Sequence, residues 1–218
     1  MAAIDVLIKY FPSFNVALGE TLKLTAVSLF FATILGVIFG LFKVSGIKPL
    51  KVIANIYIDI IRGTPLMVQT MIIFYGLSQV LRPYGFSWGA MTLSLKAGAY
   101  MAEIIRGGIE AVDKGQMEAA RSLGLPYGKA MGKIILPQAF RTMMPSIINQ
   151  FIISMKDTSL ISIIGIRELT QNGKIIAANS ASLVMAIWVA VALYYLVICT
   201  ILSKIAVIVE RKVSYGKQ

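Results

Sequence analysis

Long apolar runs alternate with short polar stretches along this chain, and the length of the runs indicates that a lipid bilayer is its main solvent. A hydrocarbon core about 30 Å thick is crossed by about 20 mainly apolar helical residues. We predict five crossings, at residues 22–42, 66–81 extended backwards through Pro65, 86–105, 143–166 and 183–208. The pattern therefore predicts an all-α, polytopic membrane protein with one transmembrane domain over residues 1–218.

Small residues and a proline mark special positions in the first two crossings. Ala32, Gly36 and Gly40 recur at four-residue spacing. Such a stripe allows close helix contact in lipid, and we expect it to pack within this chain. Pro65 has no backbone N–H and disfavours helical backbone in the preceding residue, so we expect a bend or break near Thr64. Backbone groups freed by such a break normally face a polar cavity or other protein.

Composition and charge support this picture and orient it. Hydrophobic residues make up 57% of the chain and charged residues only 14%, while the net charge is +11. In a membrane protein a basic excess is explained by cytoplasmic loops, and nucleic-acid binding is not expected. Lys and Arg concentrate in alternate segments between the crossings, which predicts an N-terminus outside, a C-terminus in the cytoplasm and a cytoplasmic loop at 106–141. With one cysteine, Cys199, and no histidine, we expect neither a disulfide framework nor a metal site.

The most informative motif lies in that predicted loop and reads EAARSLGLPYGKAMGKIILP, from Glu118 to Pro137. It contains EAA, three residues, Gly, nine residues, Ile, one residue and Leu-Pro. This spacing resembles the cytoplasmic coupling loop in permease subunits of bacterial ABC importers. The segment AYMAEIIRGGIEAVDKGQMEAARSLGL at 99–125, together with RGTPL at 62–66, is similar to the polar amino acid branch of that family.

The resemblance implies the ABC importer type I permease fold, in a multi-pass protein of the bacterial cell membrane. Expected partners are a second permease subunit, identical or different, two ATP-binding cassette subunits, an extracytoplasmic solute-binding protein, membrane lipid and the amino acid substrate. The partner ATPase would bind ATP and Mg²⁺, and this chain would be non-catalytic and without a cofactor. Consistently, Gly124, Gly128 and Lys129 miss the phosphate-loop pattern, because three residues separate the glycines and Ala130 follows the lysine.

Residue preferences predict two short helices within the loop, at 117–123 and 127–135. Gly124 suits a left-handed helix end, and Pro126 can open the second helix but cannot continue the first. Without the resemblance, an ordinary solvated loop would explain this pattern as well.

In the family such a helix lies in a groove of the ATPase and transmits its closure to the membrane helices. The resemblance assigns Glu118 to polar pairing or helix capping, Ala119 and Ala120 to close packing, and Gly124 to the turn. The mechanism that it implies is alternating access driven by the partner ATPase.

Charged and polar residues within the crossings are candidates for a substrate site. Lys96, Tyr100 and Glu103 share one face of the third crossing, and Asp157 lies in the fourth. A charge near the bilayer centre costs at least ~2.5 kcal/mol on insertion scales, so each needs a partner or a function. An amino acid carries an ammonium and a carboxylate. We assign Glu103 and Asp157 to cationic groups, Tyr100 to polar contact, and backbone donors near Thr64 to the carboxylate.

Several alternatives stay open at this point. Lys96 could neutralise Glu103, and Lys156 could pair with Asp157, in a purely structural network. If both acids face the pathway, they favour a basic substrate such as arginine, lysine or histidine. An ion-coupled secondary carrier, with Glu103 or Asp157 binding the coupling proton, and a non-transporting scaffold are the rival functions. Three further charged residues are expected to form interfacial pairs: Asp59, Arg167 and Glu168.

Overall fold

The computed structural model describes residues 2–77 and 85–214, and most of these residues are helical. In these ranges nine α-helices follow one another: α1 (Ala2–Val44), α2 (Lys48–Gly63), α3 (Leu66–Leu77), α4 (Gly85–Glu110), α5 (Lys114–Ser122), α6 (Tyr127–Ala130), α7 (Leu136–Ile161), α8 (Leu169–Ala178) and α9 (Val184–Ser214). A π-helical turn, Met131–Ile135, joins α6 to α7, and short 3₁₀ turns, Ser162–Ile164 and Ala181–Leu183, lie before α8 and α9. The all-α fold class is confirmed.

Three segments of the described chain are long and apolar enough to cross a bilayer as continuous helices: Ile4–Val44, Tyr127–Ile164 and Ala181–Val209. The pair α2 and α3 adds a fourth span if both helices count as one crossing. α4, which contains the predicted third crossing, does not meet the same criterion. It carries many small and polar residues because it is surrounded by α1, α2, α3 and α7. The count of five crossings stays a prediction, and residues 78–81 of the second lie outside the described residues.

The predicted small-residue stripe of α1 packs against α4, within the chain. A Cβ added to Gly36 would lie 2.5 Å from Cγ of Met101, and one added to Gly40 would lie 3.0 Å from Cβ of Ile105. Ala32 is fully buried. Contacts this close exclude larger side chains, so the sequence of the stripe sets the distance between the two helices.

The predicted break near Thr64 is present. α2 ends at Gly63, Thr64 is extended with φ −121° and ψ 146°, and α3 begins at Leu66. The two helices are bent by 107° relative to each other. We call residues 61–69 the elbow.

Glu168 corrects the expectation of an interfacial ion pair. It is completely buried, and its carboxylate accepts hydrogen bonds from the N–H groups of Thr170 at 2.9 Å and Gln171 at 2.7 Å. The hydroxyl of Tyr195 donates a third bond at 2.7 Å. Glu168 therefore caps the start of α8 and ties it to α9. Burial raises the pKa of the Glu168 carboxyl, although its three donors act in the opposite direction.

Candidate functional site

The loop between α4 and α7 begins with a well-capped helix. The side chain of Asp113 accepts a hydrogen bond from the N–H of Gly115 at 2.7 Å, so α5 starts before the predicted residue 117. Gly124 has φ +82°, and the N–H of Leu125 donates to the carbonyl of Ala120 at 3.1 Å. The predicted left-handed helix end is thus confirmed. Asp113, and not Glu118, caps the start of this helix, so polar pairing is the role that remains expected for Glu118.

The second half of the loop continues directly into a long helix. Pro126 precedes α6 with φ −65°, as predicted for a helix-opening proline. From α6 the chain winds through the π-helical turn into α7, whose first turn contains Pro137. The backbone therefore stays helical from Tyr127 to Ile161, and the second half of the loop is joined to α7 without a break.

The loop exposes apolar side chains on the surface of the chain. Glu118 and Ala119 are exposed, whereas Ala120 is buried and packs inward. Leu123 is 83% exposed, and Tyr127 is half-exposed. An apolar side chain this exposed is accessible to a partner protein. Leu123 was not among the predicted site residues, since only the fold shows that it points away from the chain.

Glu103 lies in a cluster of basic side chains from three helices. Its carboxylate contacts the ammonium of Lys43 on α1 and is 2.9 Å from the guanidinium of Arg106 on α4. Arg62 on α2 approaches to 3.8 Å, and Arg106 also pairs with Glu110. Three cations thus surround two carboxylates, and the cluster ties α1, α2 and α4 together. Such surroundings already neutralise Glu103 and disfavour an additional cation beside it.

Asp157 pairs with Lys96 across α7 and α4. The lysine Nζ is 3.0 Å from Oδ2 of Asp157, and their side chains are 21% and 17% exposed. The structural network considered as an alternative is therefore built from other partners: Lys96 pairs with Asp157, and Glu103 with Lys43, Arg62 and Arg106. Seven helical residues place Lys96 about 10 Å from Glu103 along the axis. Asp157 lies closer to Lys96 than Glu103 does, because α4 and α7 pack side by side.

The remaining candidates lie around the elbow. The guanidinium carbon of Arg62 is 5.2 Å from the centre of the Tyr100 ring, so Arg62 links Tyr100 to Glu103. The hydroxyl of Thr64 donates to the carbonyl of Ile60 at 2.8 Å. The structure therefore brings Tyr100 and Glu103 into one group, and places Asp157 in a separate ion pair.

The chain is similar to known proteins over most of its length. The family described as "Binding-protein-dependent transport system inner membrane component" matches residues 32–215. The arginine transport system permease protein ArtQ of Bacillus subtilis (strain 168) is 41% identical over 200 residues, covering 89% of this chain and 90% of ArtQ. The glutamine transport system permease protein GlnP of Escherichia coli (strain K12) is 40% identical over 196 residues, covering 88% of this chain and 89% of GlnP. A solved structure of an amino acid ABC transporter with histidines superimposes with a TM-score of 0.89 at 39% identity, covering 95% of this chain and 97% of the other.

Proposed function

This chain belongs to the family of binding-protein-dependent transport system inner membrane components, and we propose that it carries polar, specifically basic, amino acids into the bacterial cell. It is a permease subunit of the ABC transporter type, located in the membrane. The observation that carries the proposed coupling to an ATPase is the loop from Lys114 to Ile135, with its exposed Leu123 and its continuous connection to α7.

The proposed topology has five crossings. α1, the pair α2 and α3, α4, α7 and α9 would each cross the membrane, with the N-terminus outside. The positive-inside rule supports this arrangement, because it places the basic segment 106–141 in the cytoplasm. α4 would cross in the centre, shielded from lipid by its neighbours.

The proposed coupling works through direct contact with a separate ATPase. Leu123 and Ala119 would enter a groove on the ATPase, Glu118 would pair at its rim, and Ala120 and Gly124 would keep the loop in shape. Closure of two ATPase subunits around ATP and Mg²⁺ would push the loop, and α7 would carry the displacement into the membrane. The full assembly would contain a second permease subunit and an extracytoplasmic solute-binding protein. This chain itself would catalyse no reaction and hold no cofactor.

The substrate would bind between α4, α7 and the elbow. Asp157 would receive a cationic group of the amino acid, in exchange for Lys96, and the released lysine would be available to a carboxylate. Backbone donors after Thr64 and the Tyr100 hydroxyl would complete the site. Glu103 is the weaker candidate for binding the cationic group, because three basic side chains already surround its carboxylate. Among the relatives, the names of ArtQ (arginine) and of the solved transporter (histidines) support a basic substrate, whereas GlnP is named for glutamine, which is polar and uncharged.

The test is transport by the reconstituted complex. The chain is purified with its ATPase and solute-binding protein, placed in proteoliposomes, and assayed for uptake of labelled arginine, histidine and glutamine. We expect uptake that requires ATP on the cytoplasmic side and is fastest for the basic amino acids. Uptake driven by a proton or sodium gradient without the ATPase would instead establish a secondary carrier. An assembled complex that hydrolyses ATP but moves no amino acid would refute the substrate class.

A further inference from the structure

Gln69 occupies the place of a hydrogen-bond donor that the elbow lacks. In an uninterrupted helix the N–H of residue 65 would donate to the carbonyl of Ile61, but Pro65 has no N–H. The side-chain Nε2 of Gln69 lies 2.7 Å from that carbonyl. It also lies 3.0 Å from the carbonyl of Thr64 and 2.7 Å from its hydroxyl oxygen. One amide of α3, with two protons to donate, thus lies within hydrogen-bonding distance of three acceptors at the end of α2 and at the break residue.

The other half of the same amide is unused. Gln69 is 6% exposed, and its Oε1 is buried without a hydrogen-bond partner in the described part of the chain. Reversing the amide would set its oxygen against three acceptors, so the observed orientation is fixed by the elbow. Buried acceptors are normally paired in a stable structure. Gln69 therefore donates to the acceptors at the break while its own carbonyl oxygen stays without a hydrogen bond.

The elbow connects the candidate transport elements. On one side Arg62 contacts Glu103 and the ring of Tyr100. On the other side Leu66 packs in a buried cluster with Leu93 of α4 and Ile161 of α7. A change in the angle between α2 and α3 would therefore displace groups on both α4 and α7.

We propose that Gln69 is a positioning residue of the transport cycle, whose amide donors hold the elbow in the observed conformation and whose release lets α2 and α3 change their angle. It acts through the backbone of the elbow and does not contact the substrate. Only one part of this proposal rests on the proposed function, namely that the change of angle between α2 and α3 belongs to alternating access.

The donor requirement can be tested with two substitutions. Gln69→Leu keeps a similar volume and removes both donors. Gln69→Glu has no donor while ionised, but regains one O–H donor when protonated. We expect the leucine variant to lower uptake at least tenfold at unchanged complex yield. The glutamate variant should be equally poor at pH 8 and should recover at least threefold at pH 5.5, relative to the wild-type protein at the same pH.

The angle itself is measured by distances between spin labels on α2 and α3. Cysteines replace Ile56 and Ile72, both exposed, in a Cys199→Ala background. We expect a narrow distribution in the wild-type protein and a shifted or broadened one in Gln69→Leu. Gln171→Leu, a half-buried glutamine of α8, is the matched control and should change neither distance nor uptake.

The uptake and distance measurements either support or overturn the proposed role of Gln69. Gln69→Leu with wild-type distances, or with uptake within twofold of wild type, would overturn the proposal. If that variant does not assemble, the purified glutamate variant decides: a distance distribution restored on acidification supports the role of the donors, and an unchanged one refutes it. The label distances do not need transport, so they test Gln69 even if the wild-type complex proves to carry no amino acid.

Discussion

The ion pair between Lys96 and Asp157 gives the most informative single prediction, because it separates stability from transport. Replacing Asp157 by Asn leaves the ammonium of Lys96 in a largely buried position without its partner. Replacing Lys96 by Met leaves the carboxylate in the same situation. The double variant removes both charges and keeps similar volumes.

The magnitude follows from the geometry of the pair. At 3.0 Å, two unit charges attract by roughly 5–6 kcal/mol for an effective dielectric constant near 20. Partial removal of both groups from water offsets most of this attraction. The 21% and 17% exposure of the side chains leaves some solvent screening. We therefore expect each single variant to lose about 2–4 kcal/mol of stability, and the double variant to lose less than either.

Thermal unfolding and uptake are measured on the same purified complexes. The single variants should lower Tm by roughly 5–15 °C, at about 2–4 °C per kcal/mol for a chain of this size. The double variant should recover most of this loss. Uptake should stay low in Asp157→Asn and in the double variant, because Asp157 is proposed to bind the substrate. Full uptake by the double variant would refute that role and make the pair purely structural.

Three other predictions concern single positions. Gly124→Ala should lower the free energy of unfolding by about 1–2 kcal/mol, because residue 124 has a positive φ, and should reduce ATP-driven uptake. The control Gly128→Ala, at a position with ordinary φ, should leave Tm unchanged. Equal Tm values for the two variants would contradict the assigned turn. Gly36→Ala should destabilise the protein by about 1–3 kcal/mol, because the added methyl group would collide with Met101. The control Gly19→Ala should have no such effect, because nothing lies near that position. A Gly36→Ala variant as stable as the wild type would contradict the close packing of α1 on α4. The pKa of the Glu168 carboxyl is higher in the folded state than in the unfolded chain, so folding becomes less favourable as pH rises above about 4.5. Tm of the wild-type protein should therefore fall with rising pH relative to Tm of Glu168→Gln. Parallel curves of Tm against pH for the two proteins would refute this.

Local features were predictable because they depend on neighbouring residues alone. Pro65 removes a donor wherever it stands in a helix, and Gly124 followed by Pro126 must end one helix before another begins. The break and the turn therefore followed from the sequence, and so did the all-α class from the apolar runs. The family motif added the proposed role of the loop, which local preferences alone would have left as an ordinary connection.

Pairings between helices were not predictable in the same way. Lys96 and Glu103 share a helix face, which made their pairing plausible, but Lys96 reaches Asp157 because α7 lies beside α4. Glu168 looked like an interfacial charge, yet its place before α8 turns it into a buried cap. The role of Gln69 likewise depends on the bend, which brings its amide back to Ile61.

The central claim is that the loop between α4 and α7 lies in the cytoplasm and is gripped there by an ATPase. The most direct measurement is labelling of Leu123→Cys, in a Cys199→Ala background, with a maleimide that cannot cross membranes. The account predicts no labelling in intact cells, strong labelling in inside-out vesicles stripped of the ATPase, and protection when the ATPase is added back. Labelling from outside intact cells, or equal labelling with and without the ATPase, would contradict it.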